Sequence, residues 1–264
     1  MPTLPFAQID AFADRPFAGN PAAVVPLDTW LDDAVLQAIA AENNLSETAF
    51  FVPDSSGQTD FELRWFTPAV EVKLCGHATL ASGHYLLSAD GARERVTFRT
   101  RQSGMLEVAR DGEGYSMALP AYPPAPAEMP GLLAALGVEG ETLRHPRGYD
   151  LTVVENATIV RGLAPDFAAL AALGDTLNIV TAPGDGGVDV VSRVFAPAVG
   201  LDEDPVTGSA HAVLAPYWAK RLGRERFSAF QASARGGRVE CRIEDERVVL
   251  GGTCVTVIEG RLFL

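Results

Sequence analysis

Residues 63–86 read LRWFTPAVEVKLCGHATLASGHYL, and residues 192–218 read SRVFAPAVGLDEDPVTGSAHAVLAPYW. Both follow one plan: a strand, Phe-x-Pro, a loop, and a turn of small residues that opens a helix. Phe66 and Pro68 match Phe195 and Pro197, while Gly76, Ala78 and Tyr85 match Gly208, Ala210 and Tyr217. The chain therefore reads as two copies of one half-domain. The match extends upstream. With Pro53 set against Pro183, AENNLSETAFFVP lies over ALGDTLNIVTAP, each following a helix and leading into a strand. In that register Glu47 faces Leu177, a carboxylate in one half and an apolar side chain in the other.

The remaining segments fit the same order. LPFAQIDAF (4–12) and AAVVPL are strand candidates separated by the turn chemistry of DRPFAGNP. Asp32 or Asp33 is positioned to cap a helix running to about Asn43. SETAFFVP and DFELRWFTP read as paired strands, Gly76 to about Leu87 as a helix, and ERVTFRT, GMLEVAR and YSMALP as three more strands. AYPPAPAEMP (121–130) is Pro-rich and without periodicity, and reads as a semi-rigid linker. After it come a helix over about Asp166–Leu173, strands at TLNIVTAP and GVDVVSRVFAP joined by a Gly184–Gly187 turn, a helix from Gly208 to about Leu222, and closing strands. Pro216, inside that last helix, deprives the Ala212 carbonyl of its donor. The expected division is 1–120, carrying Glu47 and His77, and 121–264, carrying Asp204 and Ser209. The final strand, about 254–264, is free to return to the first half.

Composition sets the bounds. With 264 residues, 47% of them hydrophobic, the chain has ample material for folded cores. Its net charge of −13 argues against nucleic acid or an anionic membrane as partner, since both need clustered Lys and Arg. Cys75, Cys241 and Cys254 make neither an even disulfide framework nor a Cys-x-x-Cys metal pair. No apolar run approaches the ~18 residues of a membrane helix, and MPTLPFAQIDAF lacks the form of a leader. A cytoplasmic protein with reduced thiols is the expectation.

The two repeated turns, Leu74–His77 and Val206–Ser209, carry the chemistry. A helix N-terminus leaves backbone N–H groups without partners and bears partial positive charge, and glycine lets a ligand come close. Two such turns make a candidate carboxylate or phosphate cradle, although a glycine before a helix also serves plain turn chemistry. Titratable groups cluster in sequence near them: Glu47, Cys75, His77, Glu203, Asp204 and His211. Proton transfer needs a base near the substrate carbon and an acid across from it. Glu47, amid SETAFFVP, is either an exposed strand-start residue or a buried acid whose pKa burial would raise. His77 either faces a cleft or lies on the surface. Asp204, Thr207 and Ser209 are cap candidates. Cys75 has Thr207 at the matching position, so a symmetric two-thiol mechanism lacks its second thiol. No Gly-x-Ser-x-Gly elbow, Walker loop or dinucleotide fingerprint occurs.

DAFADRPFAGNPAAVV, NLSETAFF, LRWFTPAVEVKLCGHATLA and EDPVTGSAHAVLA, in this order, resemble the phenazine-biosynthesis PhzF-like family, which is related to diaminopimelate epimerase. The resemblance covers essentially the whole chain. It implies an α+β fold of two similar domains, each a curled, mostly antiparallel sheet wrapped around a central helix, with the active site in the cleft between them. It implies a cofactor-independent, metal-free isomerase in a biosynthetic process, and a homodimer. Glu47 matches the family's acid–base carboxylate. His77, Asp204 and Ser209 match its supporting polar residues, and the N–H groups of Gly76, His77, Gly208 and Ser209 match its carboxylate cradle. The implied reaction moves a proton on a small carboxylate-bearing substrate. A Cys75-dependent amino-acid racemase or epimerase, and a non-catalytic binding protein on the same scaffold, are the alternatives.

Overall fold

In the computed structural model, which describes residues 3–264, the first half of the chain forms β1 (Thr3–Ala11), β2 (Asn20–Pro26), α1 (Asp33–Asn43), β3 (Glu47–Pro53), β4 (Phe61–Phe66), β5 (Glu71–Val72), α2 (Gly76–Ala89), β6 (Arg95–Thr100), β7 (Met105–Asp111) and β8 (Gly114–Pro120). The second half continues with β9 (Ala125–Pro126), α3 (Pro130–Leu136), β10 (Glu141–His145), β11 (Tyr149–Val153), α4 (Ala157–Arg161), α5 (Phe167–Ala172), β12 (Leu177–Pro183), β13 (Val190–Ala196), β14 (Leu201–Asp204), α6 (Gly208–Leu222), β15 (Arg226–Gln231), β16 (Gly237–Glu244), β17 (Arg247–Gly252) and β18 (Cys254–Phe263). Two compact units result. One is the chain up to Ala118 together with Gly251–Leu264, and the other is Leu119–Leu250.

The duplication is visible in the strand pairings. In the first unit β1–β2 is antiparallel, β2–β3 parallel, β3–β4 antiparallel, β4–β6 parallel and β6–β7 antiparallel. In the second, β10–β11, β11–β12, β12–β13, β13–β15 and β15–β16 repeat that series. The registers agree residue by residue. Phe66 pairs with Thr48 and Pro53 with Phe61, while Phe195 pairs with Asn178 and Pro183 with Val190. β18 extends the first unit by pairing antiparallel with β1.

Each unit encloses one helix. From Gly76 to Gly83 every residue of α2 is buried, a pattern that requires apolar surroundings on all sides. In α6, Gly208, Ala210–Ala215 and Trp218 are buried likewise. Small residues permit this closeness. A Cβ added at Gly83 would lie 2.4 Å from Val108 of β7. The smaller helices cover the outside of the sheets. Leu36 and Ile39 of α1 pack with Val25, Phe50 and Phe66, and Leu132, Leu136, Val160 and Leu170 pack around Phe195.

An arginine clamp recurs at both Phe-x-Pro strand ends. Arg64 donates from Nε and Nη2 to Glu71 at 2.8 Å each, and its guanidinium sits 4.9 Å from the Phe66 ring. Arg193 donates to Glu203 at 2.7 and 2.9 Å and sits 5.0 Å from the Phe195 ring. Glu203 is thereby a structural group that holds β14 to β13.

The Pro-rich segment 121–130 is not a free linker. Ala121, Tyr122 and Ala127 donate their N–H groups to Glu246, Ala212 and Thr142, β9 pairs with β10, and Pro130 starts α3 at a position where a missing N–H costs nothing. β10, β11, α3 and α4 were not expected from the sequence; their runs are short, and their periodicity is weak. Among the described residues no helix is long and apolar enough to cross a membrane.

Candidate active site

Within the first unit, three segments distant in sequence meet at His77. The ring lies in the first turn of α2 and is buried. Glu47, the first residue of β3, brings its Oε2 to 3.2 Å from Nε2. Asn20, the first residue of β2, places Nδ2 3.2 Å from Nδ1, and Cys75 Sγ lies 3.5 Å from the same nitrogen. The parallel β2–β3 ladder brings the two strand starts together, pairing Ala22 with Glu47. The Glu47 side chain keeps 19% of its surface exposed, so it is open to a ligand, whereas His77 is not.

The electrostatics follow from burial. Desolvation drives the His77 pKa down to about 3, opposed in part by a bond to the Pro21 backbone, so the ring is neutral at ordinary pH. An amide nitrogen can only donate, so Asn20 donates to Nδ1 and the ring proton resides on Nε2, facing the Glu47 carboxylate. Nε2 and Oε2 approach to 3.2 Å without hydrogen-bond geometry, so the neutral ring packs beside the carboxylate and limits where it can go.

Glu47, Cys75 and His77 also offer three potential metal ligands, with one atom of each lying within 4.8 Å of the others. The thiol faces Nδ1, however, while the carboxylate faces Nε2. An ion bound at Nδ1 would displace the Asn20 amide.

Within the second unit, Asp204, Thr207 and Gln231 form a hydrogen-bonded knot at the start of α6. The Thr207 hydroxyl donates to Asp204 Oδ2. Thr207 N–H donates to Gln231 Oε1 at 2.9 Å, and Gln231 Nε2 donates to the Asp204 carbonyl at 2.7 Å. The expected capping roles are not taken up. Neither Cys75 nor Thr207 caps its helix with a side chain, and Asp204 binds the Thr207 hydroxyl instead. Ser209, the counterpart of His77, hydrogen-bonds the Tyr149 hydroxyl. His211 donates Nδ1–H to the Thr207 carbonyl at 2.8 Å and is wholly buried, its pKa lowered to about 4 by desolvation. It is a core residue of α6.

The structure thus gathers Glu47, Gly76 and His77 in one unit and Asp204, Gly208 and Ser209 in the other. Sequence reasoning passed over Asn20, which it read only as part of a turn, and Tyr149, on an unexpected strand. A match to the repeat plan would have found both, since each opens or nearly opens the strand that pairs in parallel with the Phe-x-Pro hairpin.

Comparison with known proteins concerns the chain as a whole. The family model for phenazine biosynthesis-like proteins, PhzC-PhzF, matches residues 9–132 and 147–260. An uncharacterized isomerase of Pseudomonas aeruginosa is 53% identical over 259 residues, covering 97% of this chain and 98% of its own length. An uncharacterized isomerase of Halalkalibacterium halodurans is 42% identical over 269 residues, with all of both chains covered. The crystal structure of a PhzF-family phenazine biosynthesis protein from Enterococcus faecalis superposes with a TM-score of 0.93 at 44% identity, covering 100% of each chain.

Proposed function

The chain belongs to the phenazine biosynthesis-like PhzC-PhzF family and is an isomerase, and from that premise we propose that it moves a proton on a small carboxylate-bearing substrate with Glu47 as the acid–base group. The observation that carries this reading is the 3.2 Å approach of Glu47 to the neutral, Asn20-oriented ring of His77. Glu47 removes a proton from a carbon made acidic by its substituents and returns it to another position or face. The neutral ring of His77, 3.2 Å away, walls one side of the carboxylate before and after transfer. The chemistry requires no metal or organic cofactor, because every proton it moves is carried by a side chain.

In this reading the N–H groups of Gly76 and His77 hold an anionic oxygen of the substrate, the N–H groups of Gly208 and Ser209 are the matching anion-binding donors of the second unit, and Asp204 fixes Thr207 at the entry to α6. General acid–base transfer contributes ~10²–10⁴-fold, so such donors must supply the rest of the acceleration by stabilising developing negative charge.

The test is Glu47→Gln, which keeps the shape and removes the base. Solvent deuterium incorporation is followed by mass spectrometry across a panel of cyclic and amino carboxylates. The reading expects exchange with wild type and a loss of at least a hundredfold in the variant. Exchange within tenfold of wild type removes Glu47 from the role. One observation favours a second reading: Cys75 Sγ, 3.5 Å from His77 Nδ1, is placed as a thiol–imidazole pair. A Cys75→Ala variant that loses exchange, beside a tolerant Glu47→Gln, selects that alternative.

A further inference from the structure

The broken symmetry of the two units leaves a specific question: what occupies, in the second unit, the place that Asn20, Glu47 and His77 fill in the first. The ladders answer it. Glu47 pairs with Ala22, and its counterpart Leu177 pairs with Tyr149. Counting back two residues along the paired strand, Asn20 corresponds to Arg147, and His77 corresponds to Ser209. The polar trio Asn20–Glu47–His77 is therefore replaced by Arg147, Tyr149 and Ser209, with the phenol arising from the neighbouring strand.

These three residues act together in the structure. The Tyr149 hydroxyl and Ser209 share a hydrogen bond. Arg147 lies 5.2 Å over the Tyr122 ring, and Tyr122 stacks on His145 at 5.1 Å and on Tyr149 at 5.9 Å. The Arg147 N–H also donates to His145 Nδ1. Arg147 differs from the arginines around it. Arg144 is neutralised by Asp150, Arg193 by Glu203 and Arg161 by Asp185. Among the described residues, no carboxylate is paired with Arg147. His145 cannot share the charge, because burial and the nearby arginine both lower its pKa. Tyr149 remains a neutral donor: burial raises its pKa, against the opposing pull of Ser209 and Arg147.

We infer that Arg147, Tyr149 and Ser209 form a carboxylate-recognition site in the second unit, with Arg147 as the countercharge, the Tyr149 hydroxyl as the neutral donor and Ser209 holding that hydroxyl in place. The inference rests on the proposed carboxylate-bearing substrate. A guanidinium without a partner, kept in place by an aromatic face, suits a carboxylate because its planar fork matches two oxygens. The adjoining rings of Tyr122 and Tyr149 favour a flat substrate beside that group.

The experiment uses benzoate and its neutral isostere benzamide, titrated calorimetrically into the intact protein. Wild type is expected to bind benzoate at least tenfold more tightly than benzamide. Arg147→Gln should weaken benzoate at least tenfold and leave benzamide unchanged. Arg147→Lys should recover part of that loss, and Tyr149→Phe should weaken benzoate about threefold to tenfold. Unchanged thermal midpoints and near-UV circular dichroism certify the fold of each variant. Two different readouts separate this site from the proton-transfer reading: that reading fails on deuterium exchange, this one on binding. The inference is overturned by a wild type that does not favour benzoate, whether or not either probe binds, or by folded Arg147→Gln and Tyr149→Phe variants that bind benzoate within twofold of wild type.

Discussion

Tyr122 donates its backbone N–H to the carbonyl of Ala212 at 2.9 Å, and Ala212 is the residue whose helical donor Pro216 has removed. The proline therefore does more than interrupt α6. It frees an acceptor in the middle of a buried helix, and the Pro-rich segment 121–130 supplies the donor. That bond anchors the backbone of a residue whose ring stacks on His145 and Tyr149.

Replacing Pro216 with alanine restores an N–H that competes for the Ala212 oxygen. Amide hydrogen exchange at Tyr122, followed by mass spectrometry or NMR, should accelerate at least tenfold in Pro216→Ala while exchange in β12 and β13 stays as in wild type. Unaltered protection at Tyr122 would show that the segment is held by its other contacts alone.

Asn20→Ala removes the donor that sets the His77 tautomer. Cys75 Sγ, 3.5 Å away, is then the remaining neighbour of Nδ1, and the ring that walls the Glu47 carboxylate is less firmly held. Deuterium incorporation should fall roughly tenfold to a hundredfold, within the range by which acid–base groups matter, with a change in folding stability of about 1–2 kcal/mol for one buried hydrogen bond. Full activity in this variant would leave Asn20 a purely structural residue.

Acid should destabilise the protein through its two buried imidazoles. His77 and His211 are held neutral down to about pH 3 and about pH 4, whereas an unfolded histidine takes up a proton below ~6.5. Between those values the unfolded chain binds more protons, so stability falls as pH drops through the window. At pH 5 each ring contributes a loss of about 2 kcal/mol relative to pH 8. Urea midpoints at both pH values should show His211→Asn weaker than wild type at pH 8 but with a pH 8-to-5 loss smaller by about that amount. An equal loss in both proteins would mean that His211 is not the acid-sensitive group.

Gly83→Ala should be severely destabilising, because its Cβ would lie 2.4 Å from Val108 and the clash is with a buried strand. Overpacking of this kind costs about 1–3 kcal/mol. Val108→Ala in the same chain should recover part of the loss, and chemical denaturation of the single and double variants measures it. Additive penalties would rule out the contact as the cause.

Much of this architecture was legible because the repeat is written in local chemistry. Phe-x-Pro ends a strand and Gly76 or Gly208 opens a helix, so the order of elements and the Glu47–Leu177 mismatch followed from alignment of the halves. The Arg64–Glu71 and Arg193–Glu203 clamps lay in the same quoted stretches, with each arginine two residues before the matched phenylalanine. They were missed because a charged residue in a strand end reads as solvated until its burial is known. Asn20 and Tyr149 were harder to find, since each acts through a parallel neighbour strand and a helix far away in sequence.

The sequence alone determined that there are two related halves, the strands flanking the repeated turns and the long helix that each turn opens, and that only the first carries a carboxylate at the start of its third strand. Local periodicity and turn chemistry suffice for that, because they act over a few residues. Tertiary structure decided which polar groups meet: Glu47 and Asn20 at opposite nitrogens of His77, Tyr149 at Ser209, and the Tyr122 N–H on the carbonyl released by Pro216. Those contacts depend on parallel register and on two helices enclosed by sheet, and burial there sets the charge of His77.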